Sequence, residues 1–293
     1  MSIFEAILLG VVQGLTEFLP VSSSGHLALL KLIFGIESDA GLLFDVLLHI
    51  ATLIAIFLAF YKDLFAMIRE GLMIIVDIIC NLGLFIGNIF KENKSPYRTI
   101  IKNSYRKFDI LIIISTIPTA IMGLLLEDYI ELASTILVVP AVCLIITGIM
   151  LFMSDRIQNT TKTPKGTSFI DAIFVGVAQG FAILPGISRS GTTITACLAC
   201  GYNRKYAVKY AFFMSIPAVL GAAILELKDV SVSSIDSSVL ISYGAGMIAA
   251  AIVGFICIKG MIFLVRKQKF TIFGIYCIVV GLAAIIVNTM GLI

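Results

Sequence analysis

Apolar residues run along this chain in stretches of about twenty, broken by short polar clusters. That is the length a helix needs to cross the ~30 Å hydrocarbon core of a bilayer. Six stretches qualify: Leu42 to Tyr61, Asp109 to Leu126, Ser134 to Met153, Tyr206 to Leu225, Val239 to Ile258 and Phe270 to Val287. A seventh, Leu64 to Phe90, is as apolar but carries Arg69, Glu70, Asp77, Asn81 and Asn88 and has basic residues beyond both ends. Both ends therefore favour the same side of a membrane, and the segment is expected to be interfacial or re-entrant.

Two further apolar runs are copies of one pattern. Glu5 to His26 reads EAILLGVVQGLTEFLPVSSSGH, and Asp171 to Thr192 reads DAIFVGVAQGFAILPGISRSGT, at a constant offset of 166 residues without a gap. Each carries GxxxG (Gly10 to Gly14, Gly176 to Gly180), then a break containing Pro20 or Pro185, then a serine-rich turn that starts a second apolar run. Proline disfavours helix at the residue before it and interrupts a continuing one, so each copy should be two short helices joined at an opening.

The distribution of charge gives these elements an orientation. Lys and Arg gather at Lys62, Lys91 to Lys107, Arg156 to Lys165, Arg204 to Lys209 and Lys259 to Lys269, whereas Glu37, Asp39, Glu127 to Glu131 and Glu226 to Asp236 are acidic turns. The second copy is entered and left on the basic side, so it should be a re-entrant hairpin. Three full spans separate the copies, an odd number, so the first should enter from the opposite face. The expected architecture is an all-α polytopic membrane protein with an inverted-topology repeat and about six transmembrane helices. Half one is 1–154 with hairpin 3–34, half two is 168–293 with hairpin 168–200, and 155–167 is the linker.

Composition agrees and narrows the class. With 59% hydrophobic and 13% charged residues, the chain has too little polar surface to cover a water-soluble globule. Its start, MSIFEA, has neither a basic n-region nor a small-residue cleavage site, so it reads as mature structure and not a signal peptide. Six scattered cysteines, Cys197 and Cys200 included, sit in apolar runs and read as small buried hydrophobes. No nucleic-acid partner is expected.

The chemistry should sit at the two breaks. Ser22, Ser23 and Ser24 place hydroxyls and N–H groups at one helix start, and Ser188, Arg189, Ser190, Gly191 and Thr192 do so at the other. Helix N-termini attract anions, and the arginine fork suits phosphate oxygens. Serines in apolar helices also bond back to the backbone or cap it, so the stronger argument is the charges. Glu17 and Arg189 would each cost ~2.5–3.5 kcal/mol alone at a helix centre, and the inverted repeat offers one place where they meet. His26 lies three residues after Ser23 and shares its face, so it could take the hydroxyl proton. Glu17 could instead bind a divalent cation, with Gln13 a weak neutral neighbour one turn earlier; substrate phosphates would have to complete the coordination of Mg or Ca. His49, with Asp45 one turn before it, is a further candidate.

Through QGLTEFLPVSSSGH at Gln13 to His26 and PGISRSG at Pro185 to Gly191, the sequence resembles the undecaprenyl-diphosphate phosphatase family, the membrane enzymes associated with bacitracin resistance. The resemblance covers essentially the whole chain. It implies hydrolysis of the terminal phosphate of a polyprenyl diphosphate carrier lipid with a divalent cation, at a site open to the outer side of a bacterial plasma membrane. The family's functional residues fall on Glu17, Ser23, His26, Ser188, Arg189 and Thr193. Many members carry a second glutamate where this chain has Gln13, which weakens any two-carboxylate metal scheme. Ser22 and Ser190 join Ser188, Arg189 and Thr193 as expected phosphate contacts. Ser23 is the expected nucleophile with His26 as base, and attack by water is the alternative. SSSGH also resembles part of the type 2 phosphatidic-acid phosphatases, but that family needs a histidine after its Ser-Arg and none follows Arg189. A transporter or flippase of a phosphorylated prenyl lipid is the other class compatible with broken helices, and the GxxxG patterns leave a homodimer open.

Overall fold

The computed structural model describes residues 1–34, 38–91, 93–126, 129–130, 132–133, 136, 138–158, 160–226, 237–266 and 270–290. Among these the chain is all-helical: α1 (Ile3–Phe18), α2 (Ser23–Phe34), α3 (Ser38–Ile89), α4 (Ser104–Leu125), α5 (Val138–Asp155), α6 (Phe169–Phe181), α7 (Arg189–Ala199), α8 (Arg204–Glu226), α9 (Ser237–Arg266) and α10 (Phe270–Thr289). Among the described residues six helices are long and apolar enough to cross a membrane, and each overlaps one of the six expected stretches; Ser134, Thr135 and Leu137 of the third stretch lie outside the described residues. Only 28% of the apolar window of α10 is buried, so most of that helix offers its side chains outward, as lipid contact requires. The acidic residues Glu37, Glu127, Asp128, Glu131 and Asp236, and the basic Lys267 and Lys269, lie outside the described residues.

The two copies start alike. Ser2 Oγ accepts the Glu5 N–H at 3.2 Å while the Glu5 carboxylate accepts the Ser2 N–H at 2.8 Å. At the same offset, Ser168 and Asp171 repeat this reciprocal cap at 3.0 and 2.9 Å. Each cap satisfies two orphan N–H groups at a helix start and fixes where α1 and α6 begin.

Each copy then packs on the opposite half. The buried face of α1, with Ala6, Gly10, Gln13, Gly14 and Glu17, lies on α9. A Cβ on Gly10 would stand 2.1 Å from the Gly246 carbonyl oxygen, and one on Gly14 would stand 2.7 Å from that of Ala250. Correspondingly, α6 lies on α4, where a Cβ on Gly176 would stand 2.2 Å from the Ser115 carbonyl oxygen. Small residues thus bring two backbones together, the way helices associate where no water drives them. The GxxxG glycines are occupied within one chain, which removes them as ground for a homodimer.

The segment Leu64 to Phe90 is not a separate element. It continues α3 past a kink at Phe60 (φ −122°, ψ 24°) as far as Ile89. No proline or glycine stands at the kink, so the sequence gives no sign of it.

Gly10→Val should lower the midpoint of thermal unfolding in detergent by the equivalent of about 1–3 kcal/mol, because backbone blocks the added atoms. Gly71→Ala, which meets nothing within 4 Å, should leave the midpoint unchanged or raise it slightly. Equal behaviour of the two would refute the packing account.

Candidate active site

Both breaks open where the sequence places them, and they interlock. α1 ends at Phe18 and α2 begins at Ser23; α6 ends at Phe181 and α7 begins at Arg189. Ser24 Oγ accepts the Gly186 N–H of the other break at 3.4 Å, and Ser190 Oγ donates to the Leu19 carbonyl at 3.2 Å. Ser24 and Ser190 are equivalent in the repeat, so each hydroxyl closes the other copy's opening. Thr147 of α5 braces the second break, donating to the Gly186 carbonyl at 3.1 Å and accepting the Ser188 N–H at 3.0 Å.

The turns themselves differ in shape. Gly186 has φ +92° and stands where the first copy has Pro20. A proline ring cannot reach positive φ, so the first copy places its left-handed residue later, at Ser22 (φ 69°). A non-glycine residue there costs about 1–3 kcal/mol, a strain that persists only where surrounding contacts impose it.

Glu17 is the hub. Its side chain is 6% exposed and forms an ion pair with Arg189, whose side chain is 24% exposed. The other carboxylate oxygen accepts from Ser23 Oγ at 2.7 Å and from Gln13 Nε2 at 3.2 Å. His49 Nε2 stands 3.8 Å from the same oxygen. Its Nδ1 lies 2.8 Å from the Asp45 carbonyl, which can only accept, so Nδ1 carries a proton and Nε2 faces the Glu17 carboxylate. Asp45 itself pairs with Lys31 through its carboxylate.

His26 takes a different partner from the expected one. Its Nδ1–H donates to the Ser22 carbonyl at 2.7 Å, and its Nε2 lies 2.7 Å from the Tyr276 hydroxyl of α10, with the rings stacked 5.5 Å apart. The Ser23–His26 pair is therefore absent here, and Ser23 faces the Glu17 carboxylate instead. Back-bonding to Ser22 turns the imidazole toward α10. No spacing rule could link Tyr276 to a residue 250 positions away.

At the second break, Ser188 caps α7 by accepting the Gly191 N–H at 3.1 Å, and its hydroxyl lies 3.4 Å from that of Ser190. Thr193 donates back to the Arg189 carbonyl at 2.7 Å. Ser22 Oγ lies 3.3 Å from Ser24 Oγ. Cavities flank Arg189 on two sides. Glu17, Phe18, Ser190, Thr193, Phe212 and Ser215 line one, and Val46, His49, Val219, Ala222 and Ala223 line the other. The Arg189 guanidinium, the start of α7 and the hydroxyls of Ser190, Thr193 and Ser215 thus line the first cavity beside the apolar Phe18 and Phe212, a donor set that suits phosphate oxygens.

The donor set does not fit a resident divalent cation. Among the described residues no three His, Cys, Asp or Glu side chains come together in a metal-holding group. Glu17 supplies one carboxylate and shares it with Arg189, while the buried Gln13 Oε1, which has no partner, adds a neutral oxygen.

Fold and site together define a multi-pass helical membrane protein whose broken helices gather a buried acid–arginine–serine cluster. Residues 6–283 match the sequence model of the family described as bacitracin resistance protein BacA, and the chain belongs to that family. It is 41% identical over 290 residues to an undecaprenyl-diphosphatase of Methanosphaera stadtmanae, 99% of each chain being covered. It is 37% identical to one of Alkaliphilus metalliredigens, over 99% of this chain and 100% of that one. A third, of Carboxydothermus hydrogenoformans, is 38% identical over 99% of both.

Removing one partner of the central pair should strand the other charge away from water. A double-mutant cycle of Glu17→Gln and Arg189→Gln, read by thermal unfolding in detergent, should give a coupling of about 2 kcal/mol, above the ~0.2–1 kcal/mol of exposed pairs. Additive effects would mean that the pair contributes nothing.

Proposed function

We propose that the chain hydrolyses undecaprenyl diphosphate, or a close polyprenyl diphosphate, to the monophosphate and inorganic phosphate. This returns carrier lipid to cell-wall synthesis and confers bacitracin resistance. The observation that carries the reading is Ser23 Oγ donating to a carboxylate that also holds Arg189. The Glu17 carboxylate holds one nitrogen of the Arg189 guanidinium, the group a phosphate would also bind. An entering diphosphate competes for Arg189 and leaves Glu17 with Ser23 and Gln13.

The reaction then follows from these positions. Ser23 gives its proton to Glu17 as its oxygen bonds to the terminal phosphorus, and the bridging P–O bond breaks to release the prenyl monophosphate. Glu17 passes that proton to the departing monophosphate oxygen. Water then attacks the phosphoserine and gives a proton to the Glu17 carboxylate, and Glu17 returns it to the Ser23 oxygen as the Ser–O–P bond breaks and inorganic phosphate leaves. Arg189, the Ser188 and Ser190 hydroxyls and the N–H groups at the starts of α2 and α7 stabilise charge on the transferring oxygens, with Ser22 and Thr193 shaping the two turns. His26 positions α2 against Tyr276, and His49 orients Glu17. A Mg or Ca ion carried in on the diphosphate would have Glu17 and the Gln13 oxygen as protein neighbours, and the steps above use protein groups alone.

The hairpins 3–34 and 168–200 are re-entrant from opposite faces in this reading, within halves 1–154 and 168–293 joined by 155–167. Equivalent end caps and the crosswise packing of α1 on α9 and α6 on α4 support it. The chain is placed in the bacterial plasma membrane with the site open to its outer side. Membrane transport of the same lipid would require no hydroxyl against the carboxylate, and that contact favours hydrolysis. Cross-linking in membranes tests for the homodimer.

Phosphate release from farnesyl or undecaprenyl diphosphate by the purified protein is the direct test, and binding without release would refute the reading. Arg189→Ala should lower kcat about 10²–10³-fold. Ser23→Ala should remove an acid-stable phosphoserine from quenched reactions and most turnover with it. If turnover persists while no phosphoserine is trapped, water is the nucleophile. His49→Gln should lower kcat more than it raises KM, because His49 stands against Glu17.

A further inference from the structure

Beyond its kink α3 carries an arm that the site does not use. The stretch Leu43–Ile89 has 47 residues and would be about 70 Å long as one helix at ~1.5 Å per residue, against a hydrocarbon core of ~30 Å. A polar belt marks where the spanning part ends: Asp63 pairs with Lys209 at 2.7 Å and accepts from the Tyr105 hydroxyl at 2.9 Å. Past that belt the helix remains apolar outside, with Phe65 71%, Leu72 59%, Ile79 63%, Leu82 60% and Phe90 84% exposed.

One stripe of the arm is polar, and the chain itself covers it. Glu70, Asp77, Asn81 and Asn88 recur along that face. Residues 93–103 return beside it as a strap without helix or strand. Asn88 accepts the Ser95 N–H at 2.8 Å and donates to the Ser95 carbonyl at 3.0 Å, and Asn81 does the same with Arg98 at 2.7 and 2.8 Å. Asp77 holds Lys102 at 2.7 Å and Arg106 at 2.6 Å, and Arg106 also holds Glu70 at 2.8 Å. The side chains thus bind the strap in register, yet most of its backbone has no helix or sheet partner and residues 96–99 are exposed. Unpaired backbone cannot lie among acyl chains, so the strap must face water or headgroups. The face opposite, with Phe65, Leu72, Ile79 and Ile86, is then turned toward the acyl chains.

From residue 62 to 107 there are eight Lys or Arg and four Asp or Glu, a formal +4, while the whole chain is +3. All the excess positive charge therefore lies on this segment, and Lys91 and Lys94 are exposed at its tip. We infer that the arm is an interfacial anchor: it lies in the plane of the membrane on the side of the basic loops, its apolar face in the acyl boundary and its tip lysines on anionic phospholipid headgroups. A wide apolar face with basic residues beside it is how helices bind such surfaces. The strap distinguishes this from a span, which would drag the same exposed backbone across the membrane.

The chain has no tryptophan, so a single introduced one reports alone. Full-length F65W, I79W and I86W proteins, each changed at an exposed position, are reconstituted into vesicles whose lipids carry bromine at two known depths. The expected result is strong quenching at the same shallow depth for all three. Positions 65 and 86 are about 32 Å apart along a helix, so a crossing helix would give depths running from one boundary through the centre to the other, and that would overturn the proposal. Emission that is blue but unquenched would place a second copy over the arm, and red unquenched emission would place the arm in water; either also overturns it. With F90W as reporter, vesicles containing about a third phosphatidylglycerol should hold the tip more firmly than pure phosphatidylcholine. Lys91→Gln and Lys94→Gln should each reduce the docked-to-free ratio about fivefold. Indifference to lipid charge would remove the headgroup contact from the proposal.

Discussion

The contact between Glu17 and Arg189 governs the rest of this structure. Each residue alone would be a charge held away from water, and neither has an oppositely charged side chain on its own short helix. They meet only if both broken helices end at one place. That in turn requires α1 to lie close on α9 and α6 on α4, which the absence of side chains at Gly10, Gly14, Gly176 and Gly180 permits. The backbone packing is therefore part of the electrostatics, since a Cβ that pushed either hairpin outward would separate the charges.

Interlocking explains why the openings persist. A break in a buried helix leaves N–H and carbonyl groups without partners, and in a membrane no water is at hand to replace them. Here Ser24 and Ser190 each satisfy a group in the other copy, and Thr147 bridges two more. Both breaks can then remain open. Strain at Ser22 is the residue of this arrangement, because Pro20 forbids the turn that Gly186 makes.

Much of this could be read from the residues. The repeat, the six spans, the breaks and the meeting of Glu17 with Arg189 all rest on local rules: hydrophobic length, proline geometry and the cost of a lone charge. What escaped depends on contacts between distant parts of the chain. His26 has two residues in range, Ser23 by spacing and Tyr276 only by packing, and the second prevails. The reach of His49 to Glu17 follows from how α3 crosses α1, which no periodicity encodes. In the arm, Asp77 and Asn81 read as polar faults in an apolar run until the strap that pairs with them is in place.

The divergence of the two copies is itself a consequence of where they meet. At the repeat offset, Ile183 stands opposite Glu17, Arg189 opposite Ser23 and Thr192 opposite His26. Had both copies kept glutamate, two carboxylates would face each other in a low-dielectric site and one would have to take up a proton. Had both kept arginine, the same would hold with opposite sign. A pseudo-symmetric pair of openings can hold one anion-binding charge only if the other supplies its counter-ion. Once one copy carries the arginine and the other the carboxylate, the carboxylate is also the base nearest the serine that follows it. In the proposed reading, the need for a counter-ion to Arg189 and the need for a base beside Ser23 thus fall on the same residue, Glu17.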